Sequence, residues 1–217
     1  MALTLVIGNK NYSSWSLRPW LALAHHKIPF EEVLVPIHTP ETPAAIAKYS
    51  PAGKVPVLID GDAVIWETIA ILEHVAERFP ETKLWPEDFA ARAHARAISA
   101  EMHSGFSALR QHCPMNLKRK KKRALTPEVE ADVRRITGMW RDARARFGAG
   151  GEFLFGAFSA ADCMYAPVAT RFVSYEIDVD PVSAAYVQAI FRLPAFQDWQ
   201  KAALAESWGH ATTDVIA

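Results

Sequence analysis

Apolar positions fall into two regimes along this chain. Over the first 80 residues, short apolar runs alternate with helical stripes. Leu3 to Ile7 predicts a strand, and Gly8 to Ser14 a turn region. Leu17 to Lys27 predicts a helix with Leu17, Trp20, Leu21 and Ala24 on one face. Glu31 to Ile37 predicts a second strand, and Pro43 to Tyr49 a short helix or turn. Val57–Ile59 and Ala63–Trp66 flank Asp60-Gly61-Asp62, a hairpin signal. Thr68 to Phe79 closes the unit as a helix, with Ile69, Leu72, Val75, Ala76 and Phe79 along its stripe. The order β-α-β-α-β-β-α predicts a small α/β unit with a mixed sheet, because two crossovers precede one hairpin.

Beyond residue 88 the strand signals nearly vanish. Ala90 to Leu109 predicts one long helix. Thr126-Pro127 is a helix start, with threonine as N-cap and proline first in the helix. Val129, Val133, Ile136, Trp140 and Phe147 follow at helical spacing until Gly148 stops the run. Ser159-x-x-Asp162 opens another helix as a capping box. Asp180-Pro181 and Pro194 mark two shorter ones. The expected organisation is an α/β domain over 1–80, a linker over 81–88 and an all-helical domain over 89–217.

Composition narrows the class. The chain has 217 residues, half of them apolar or aromatic, enough to bury a sizeable core. Its 24 basic residues balance 24 acidic ones, which removes any general attraction to nucleic acid or anionic membrane. Cys113 and Cys163 stand far apart, in neither CxxC nor zinc-ligand spacing, and predict reduced thiols. No His/Cys/Asp cluster has ligand spacing, so no metal is expected. His25-His26, at the end of the first helix, are read as complementing its dipole. The opening residues carry no signal-peptide pattern, and no window is long enough to span a membrane. A cytoplasmic protein is expected.

Three stretches carry candidate chemistry. In Ser50-Pro51-Ala52-Gly53-Lys54-Val55-Pro56-Val57-Leu58, a proline that cannot donate to a ladder stands just before a strand. Glu67 and Thr68 fall at a strand-to-helix junction, where free N–H groups and the dipole favour a carboxylate. Thr68 adds a hydroxyl donor, and the Glu67 carboxylate can accept from an ammonium. The segment Ala100-Glu101-Met102-His103-Ser104-Gly105-Phe106 places a histidine in a long helical pattern.

With the two-part organisation, these motifs resemble the cytosolic glutathione transferases, over essentially the whole chain. The resemblance implies a thioredoxin-like N-terminal domain, a C-terminal helical bundle and usually a homodimer. It also implies a cis Val55–Pro56 bond, with the Val55 N–H and C=O pairing with the glutathione backbone. Lys54, Val55, Pro56, Glu67 and Thr68 become the residues that hold glutathione. Trp15, Met102, His103 and Phe106, with Trp208, become the pocket for a small hydrophobic electrophile.

In this family the thiol-activating residue lies between the first strand and the first helix. Asn11-Tyr12-Ser13-Ser14-Trp15-Ser16-Leu17-Arg18-Pro19 offers a tyrosine and three serines there, and no cysteine. Proline is tolerated only in a helix's first turn, so Pro19 as third helical residue makes Ser16 the N-cap. Ser13 and Ser14 remain in front of the helix. Their register with Arg18 resembles zeta-like and theta-like members, with Ser14 first, Ser13 second and Tyr12 third as donor to the thiol. The implied function is serine-type glutathione transfer to electrophiles, a detoxifying chemistry with glutathione as co-substrate. Two alternatives stand beside it. One is a glutathione-dependent isomerase of the maleylacetoacetate type, although Trp15 replaces the cysteine that follows the serine pair in those enzymes. The other is a non-catalytic interaction protein using the basic run Lys118–Arg123, which otherwise reads as a solvated loop.

Overall fold

In a computed structural model that describes residues 3–209 and 213–214, strand β1 (Leu3–Ile7) leads through helix α1 (Ser14–His25) into strand β2 (Phe30–Leu34). A helical crossover returns the chain in the same direction, so β1 and β2 are parallel, with Leu3 opposite Phe30. After the short helix α2 (Thr42–Ile46), strands β3 (Val57–Asp60) and β4 (Ala63–Trp66) form the expected hairpin. The sheet order is β2-β1-β3-β4, with β3 antiparallel to β1 and Val57 opposite Val6. Helix α3 (Thr68–Arg78) and one 3-10 turn (Pro80–Thr82) follow.

Side-chain alternation divides this sheet's two faces. Leu3, Leu5 and Ile7 face α1 and α3 and merge into the main core, which continues through the helical part. Val6 and Val57 point the other way, where Val35 and Ile46 complete a smaller cluster.

The helical part comprises α4 (Phe89–Ser104), α5 (Ser107–His112), α6 (Pro127–Phe147), α7 (Ala160–Ser174), α8 (Pro181–Arg192) and α9 (Pro194–Ala205). The single helix expected over Ala90–Leu109 is two: Gly105 ends α4, and Phe106 adopts a left-handed φ of 55°. Thr126 caps α6, its hydroxyl accepting from Val129 N–H. Ser159 and Asp162 form the capping box of α7, and Asp180 caps α8. Helix α7 is almost wholly buried and packs on α1, where Arg18 Nε donates to the Met164 carbonyl at 3.0 Å. Both cysteines are free and buried. No helix among the described residues is long and apolar enough to cross a membrane.

Candidate active site

Helix α1 begins earlier than its proline suggests. Ser13 is the N-cap, its hydroxyl accepting from Ser16 N–H, and Pro19 lies inside the helix. Ser16 is therefore the third helical residue, not the cap. Its Oγ accepts from Gly8 N–H at 3.0 Å and from Ser13 O–H at 2.7 Å, tying the helix start to the end of β1. Proline at 19 leaves the Trp15 carbonyl without its usual i+4 donor. Thr68 resolves this by donating its hydroxyl to Trp15 O at 3.1 Å. The hydroxyl proton of Thr68 is thus committed to α1, and only its backbone N–H remains for a carboxylate.

The serines now differ. Ser13 donates to Ser16, whereas Ser14 Oγ has no hydrogen-bond partner among the described residues. Both serines are buried, at 7% and 8% exposure, and neither forms the wall of the neighbouring cleft. Tyr12 turns its hydroxyl to the Asp214 carboxylate.

That cleft, of about 160 Å³, is lined by Trp15, Ala52, Lys54, Val55, Pro56, Trp66, Glu67, Thr68 and His103. It lies where α1, the turn before β3, the β4–α3 junction and α4 converge. The Val55–Pro56 bond is cis. Neither the N–H nor the C=O of Val55 has a hydrogen-bond partner among the described residues. Gly8 lets this turn approach the loop: a Cβ there would lie 2.9 Å from Ile37 Cγ2 and 3.2 Å from both Ser13 Cβ and Val55 Cγ2.

At the opposite wall, α3 starts at Thr68 with no side-chain cap, so its first N–H groups stay available. Glu67, at its N-cap position, has φ 66° and ψ 123°. Such a conformation costs a non-glycine residue about 1–3 kcal/mol and is typical of binding sites. It sends the carboxylate toward His103, with Oε2 3.4 Å from Nε2. The His103 ring meets the Trp15 ring edge-on at 5.3 Å. Arg18 lies over the Trp15 ring at 4.2 Å, and Arg110 stands 5.6 Å from the same centroid. Burial, reinforced by Arg171 and Arg110, lowers the Arg18 pKa well below its ordinary value.

The sequence-predicted residues divide accordingly. Trp15, Lys54, Val55, Pro56, Glu67, Thr68 and His103 come together on one cleft. Met102 and Phe106 do not; they are buried in the main core. On α4 the core stripe runs Ala91, Ala95, Ile98, Met102, so His103, one residue on, turns to the cleft instead. Trp208 is exposed after α9 and lies outside the cleft. Ala52 and Trp66 line it without having been singled out, although each stands inside a motif that was. Arg18 stacks on Trp15 at i,i+3 spacing on α1, whereas no sequence spacing pointed to Arg110.

A thioredoxin-like sheet domain, presenting a cis-proline turn and an uncapped helix start across a cleft from a helical bundle, defines the class of protein. Residues 12–78 match the family model described as glutathione S-transferase, N-terminal domain. A probable maleylacetoacetate isomerase of Caenorhabditis elegans is 37% identical over 109 residues, covering 50% of this chain and 51% of that protein. The chain thus spans about half the length of this curated relative. Among solved structures, a glutathione transferase homolog from Burkholderia, with bound glutathione, superposes with a TM-score of 0.71 at 21% identity. The superposition covers 94% of this chain and 98% of that one. A maleyl pyruvate isomerase, described as a bacterial zeta-class glutathione S-transferase, gives 0.68 at 21% identity, covering 94% and 100%. Residues 12–78 thus carry the sequence signature of that N-terminal domain, and the chain as a whole has the fold of the glutathione transferases.

Proposed function

We propose that the protein is a serine-type glutathione transferase, in which Ser14 donates a hydrogen bond to the thiol of glutathione. The observation that carries this reading is the pairing of unsatisfied groups on one cleft. Val55 offers one N–H and one C=O, as a sheet edge does, and suits a peptide backbone. The open start of α3 suits the γ-glutamyl carboxylate, and Glu67 suits its ammonium. Lys54 and Pro56 complete that wall. Residues 1–80 form the glutathione-binding domain in this reading, and 89–217 the helical domain, joined by the 81–88 linker. Assembly as a homodimer rests on the resemblance to glutathione transferases and is checked by sedimentation velocity.

Bound glutathione supplies the sulfur nucleophile. A free thiol has a pKa near ~8.5, so only a few per cent is ionised at neutral pH. A hydroxyl at the N-terminus of α1 favours the anion through a charge-assisted hydrogen bond and the helix dipole. A two-unit depression requires about 2.7 kcal/mol, within the reach of the two together. Ser14 is ranked above Ser13 because Ser13 already donates to Ser16. Conjugation of a model electrophile should fall about a hundredfold in Ser14→Ala and much less in Ser13→Ala, mostly in kcat. Equal activity of both variants and wild type would remove the serine assignment.

Isomerisation of maleyl-type acids is the second reading, favoured by a relative and a structural neighbour that carry isomerase names. Glutathione serves there as catalyst, adding to a double bond and leaving again. Turnover of maleylacetoacetate without consumption of glutathione supports it; conjugation alone discards it.

A further inference from the structure

The stretch after α9 returns to the loop that precedes the serines. Glu206, the C-cap residue of α9, places one carboxylate oxygen on each of two successive loop N–H groups. Oε1 accepts from Lys10 N–H at 2.6 Å and Oε2 from Asn11 N–H at 3.0 Å. Trp199 of α9 donates its indole N–H to the Lys10 carbonyl at 3.0 Å. Asp214 accepts from the Tyr12 hydroxyl at 3.0 and 3.1 Å and from Asn116 Nδ2 at 2.9 Å. Asn116 Oδ1 in turn accepts from Asn11 Nδ2 at 3.1 Å, and both asparagines are buried.

The basic run holds this stretch in place. Lys118 Nζ donates to the Glu206 carbonyl, and Arg119 to the Asp214 carbonyl. Residues more than 190 positions apart thus fix the backbone of Lys10 and Asn11. Downstream, Tyr12 and Ser13 N–H both return to the Asn9 carbonyl, at 3.1 and 2.8 Å. Any shift of Lys10–Tyr12 is therefore passed directly to Ser13 and the first turn of α1.

We propose that Glu206 and Asp214 are positioning residues for thiol activation: they clamp Lys10–Tyr12, and so set where the serine hydroxyl points. The inference rests on the serine-type reading above. A carboxylate accepting two neighbouring backbone N–H groups forms strong, directional bonds, as a hinge under a reactive loop needs. Misplacing a reacting group by about 1 Å costs on the order of a hundredfold in rate, so even a partial release is measurable. Clamping also draws the Tyr12 hydroxyl onto Asp214, away from competition with the serines.

The test titrates enzyme-bound glutathione by the ultraviolet absorbance of its thiolate, on the full chain, in wild type, Glu206→Ala, Glu206→Gln, Asp214→Asn and Tyr12→Phe. Glu206→Ala should raise the bound thiol's pKa by roughly half a unit or more and lower kcat about tenfold, with KM for glutathione within about twofold. Glu206→Gln, which keeps one acceptor, should recover part of both. Tyr12→Phe and Asp214→Asn should give similar, smaller shifts. Titrations of Glu206→Ala and Tyr12→Phe that coincide with wild type overturn the proposal, whatever their melting temperatures. If Glu206→Ala does not fold, Glu206→Gln, Asp214→Asn and Tyr12→Phe decide by the same criterion. Loss of the thiolate in Tyr12→Phe alone, with Asp214→Asn unchanged, overturns it in favour of tyrosine as the donor. A wild type that binds glutathione without forming a thiolate removes the serine-type reading and this inference together, an outcome distinct from coincident titrations.

Discussion

Pro19 and Thr68 form a pair that neither residue explains alone. The proline removes the donor that the Trp15 carbonyl would have had, and the threonine hydroxyl replaces it from another helix. Thr68→Val should therefore cost about 1–2 kcal/mol in urea unfolding, the usual penalty of an abandoned buried acceptor. In a Pro19→Ala background, where residue 19 regains its N–H, the same change should cost clearly less. Additive costs in that double-mutant cycle would show that the two residues are not coupled. Gly8 gives a second test. Gly8→Ala brings a methyl to 2.9 Å from Ile37 and crowds Ser13 and Val55 together, so glutathione affinity should drop with little loss of sheet content. Isothermal calorimetry beside circular dichroism separates those effects. At this scale the serine choice could be read only partly from the chain. Pro19 as a first-turn residue pointed to Ser16 as cap; an interhelical hydroxyl, invisible in local spacing, permits the proline deeper in the helix.

The elements themselves were largely legible. A turn signal joined β3 to β4, helical spacing ending at Gly148 defined α6, and Asp180-Pro181 and Pro194 marked the starts of α8 and α9; Thr126, Ser159 and Asp180 cap as their residue types require. The break between α4 and α5 was missed because alanine-rich pattern continues across it, while Gly105 alone is tolerated in many helices. The stripe of α4 turns Met102 into the core and His103 to the cleft, and Phe106, past the break, is buried with Met102. Helix α7 depends most on its cap. Asp162 accepts from Leu154 N–H at 3.1 Å, Ser159 N–H at 2.8 Å and Ser159 Oγ at 2.9 Å, all buried. Asp162→Ala strands these donors beside the most buried helix and should destabilise the protein by roughly 3 kcal/mol or more. Thermal unfolding measures it, and a loss within about 0.5 kcal/mol would refute that role.

For the whole molecule, half-buried His25 and fully buried Asp162 give opposite pH dependences in overlapping windows. Burial, with His26 adjacent, pushes the His25 pKa from 6.5 down to about 4, against the Phe158 ring at 4.1 Å. His25 is therefore neutral at pH 7 and supplies no charge to the α1 dipole, contrary to its reading from position. The unfolded chain binds its proton first, so stability from His25 is lost as pH falls from 6.5 toward 4. Asp162 works in reverse. Burial pushes its pKa from 3.8 up to about 6, so its contribution is largest at low pH and is lost as pH rises through that range. Acidification from pH 6.5 to 4 should destabilise His25→Gln less than wild type, and Asp162→Asn more. Parallel profiles for all three proteins would contradict both assignments.

While the cis form of Val55–Pro56 was implied by the family resemblance, local chemistry along the chain was enough to specify the sheet order's precursors, the helical second half, a proline at the start of β3 and the Glu67–Thr68 junction. Each depends on neighbours within a few residues, through periodicity, caps and the conformational limits of proline. Two things depended on contacts between distant segments: that Thr68 serves α1, and that Glu206 and Asp214 grip the loop before α1. Hydrogen-bond partners of buried polar groups are chosen in space, and no short-range pattern encodes which distant side chain reaches a loop N–H or a freed helix carbonyl.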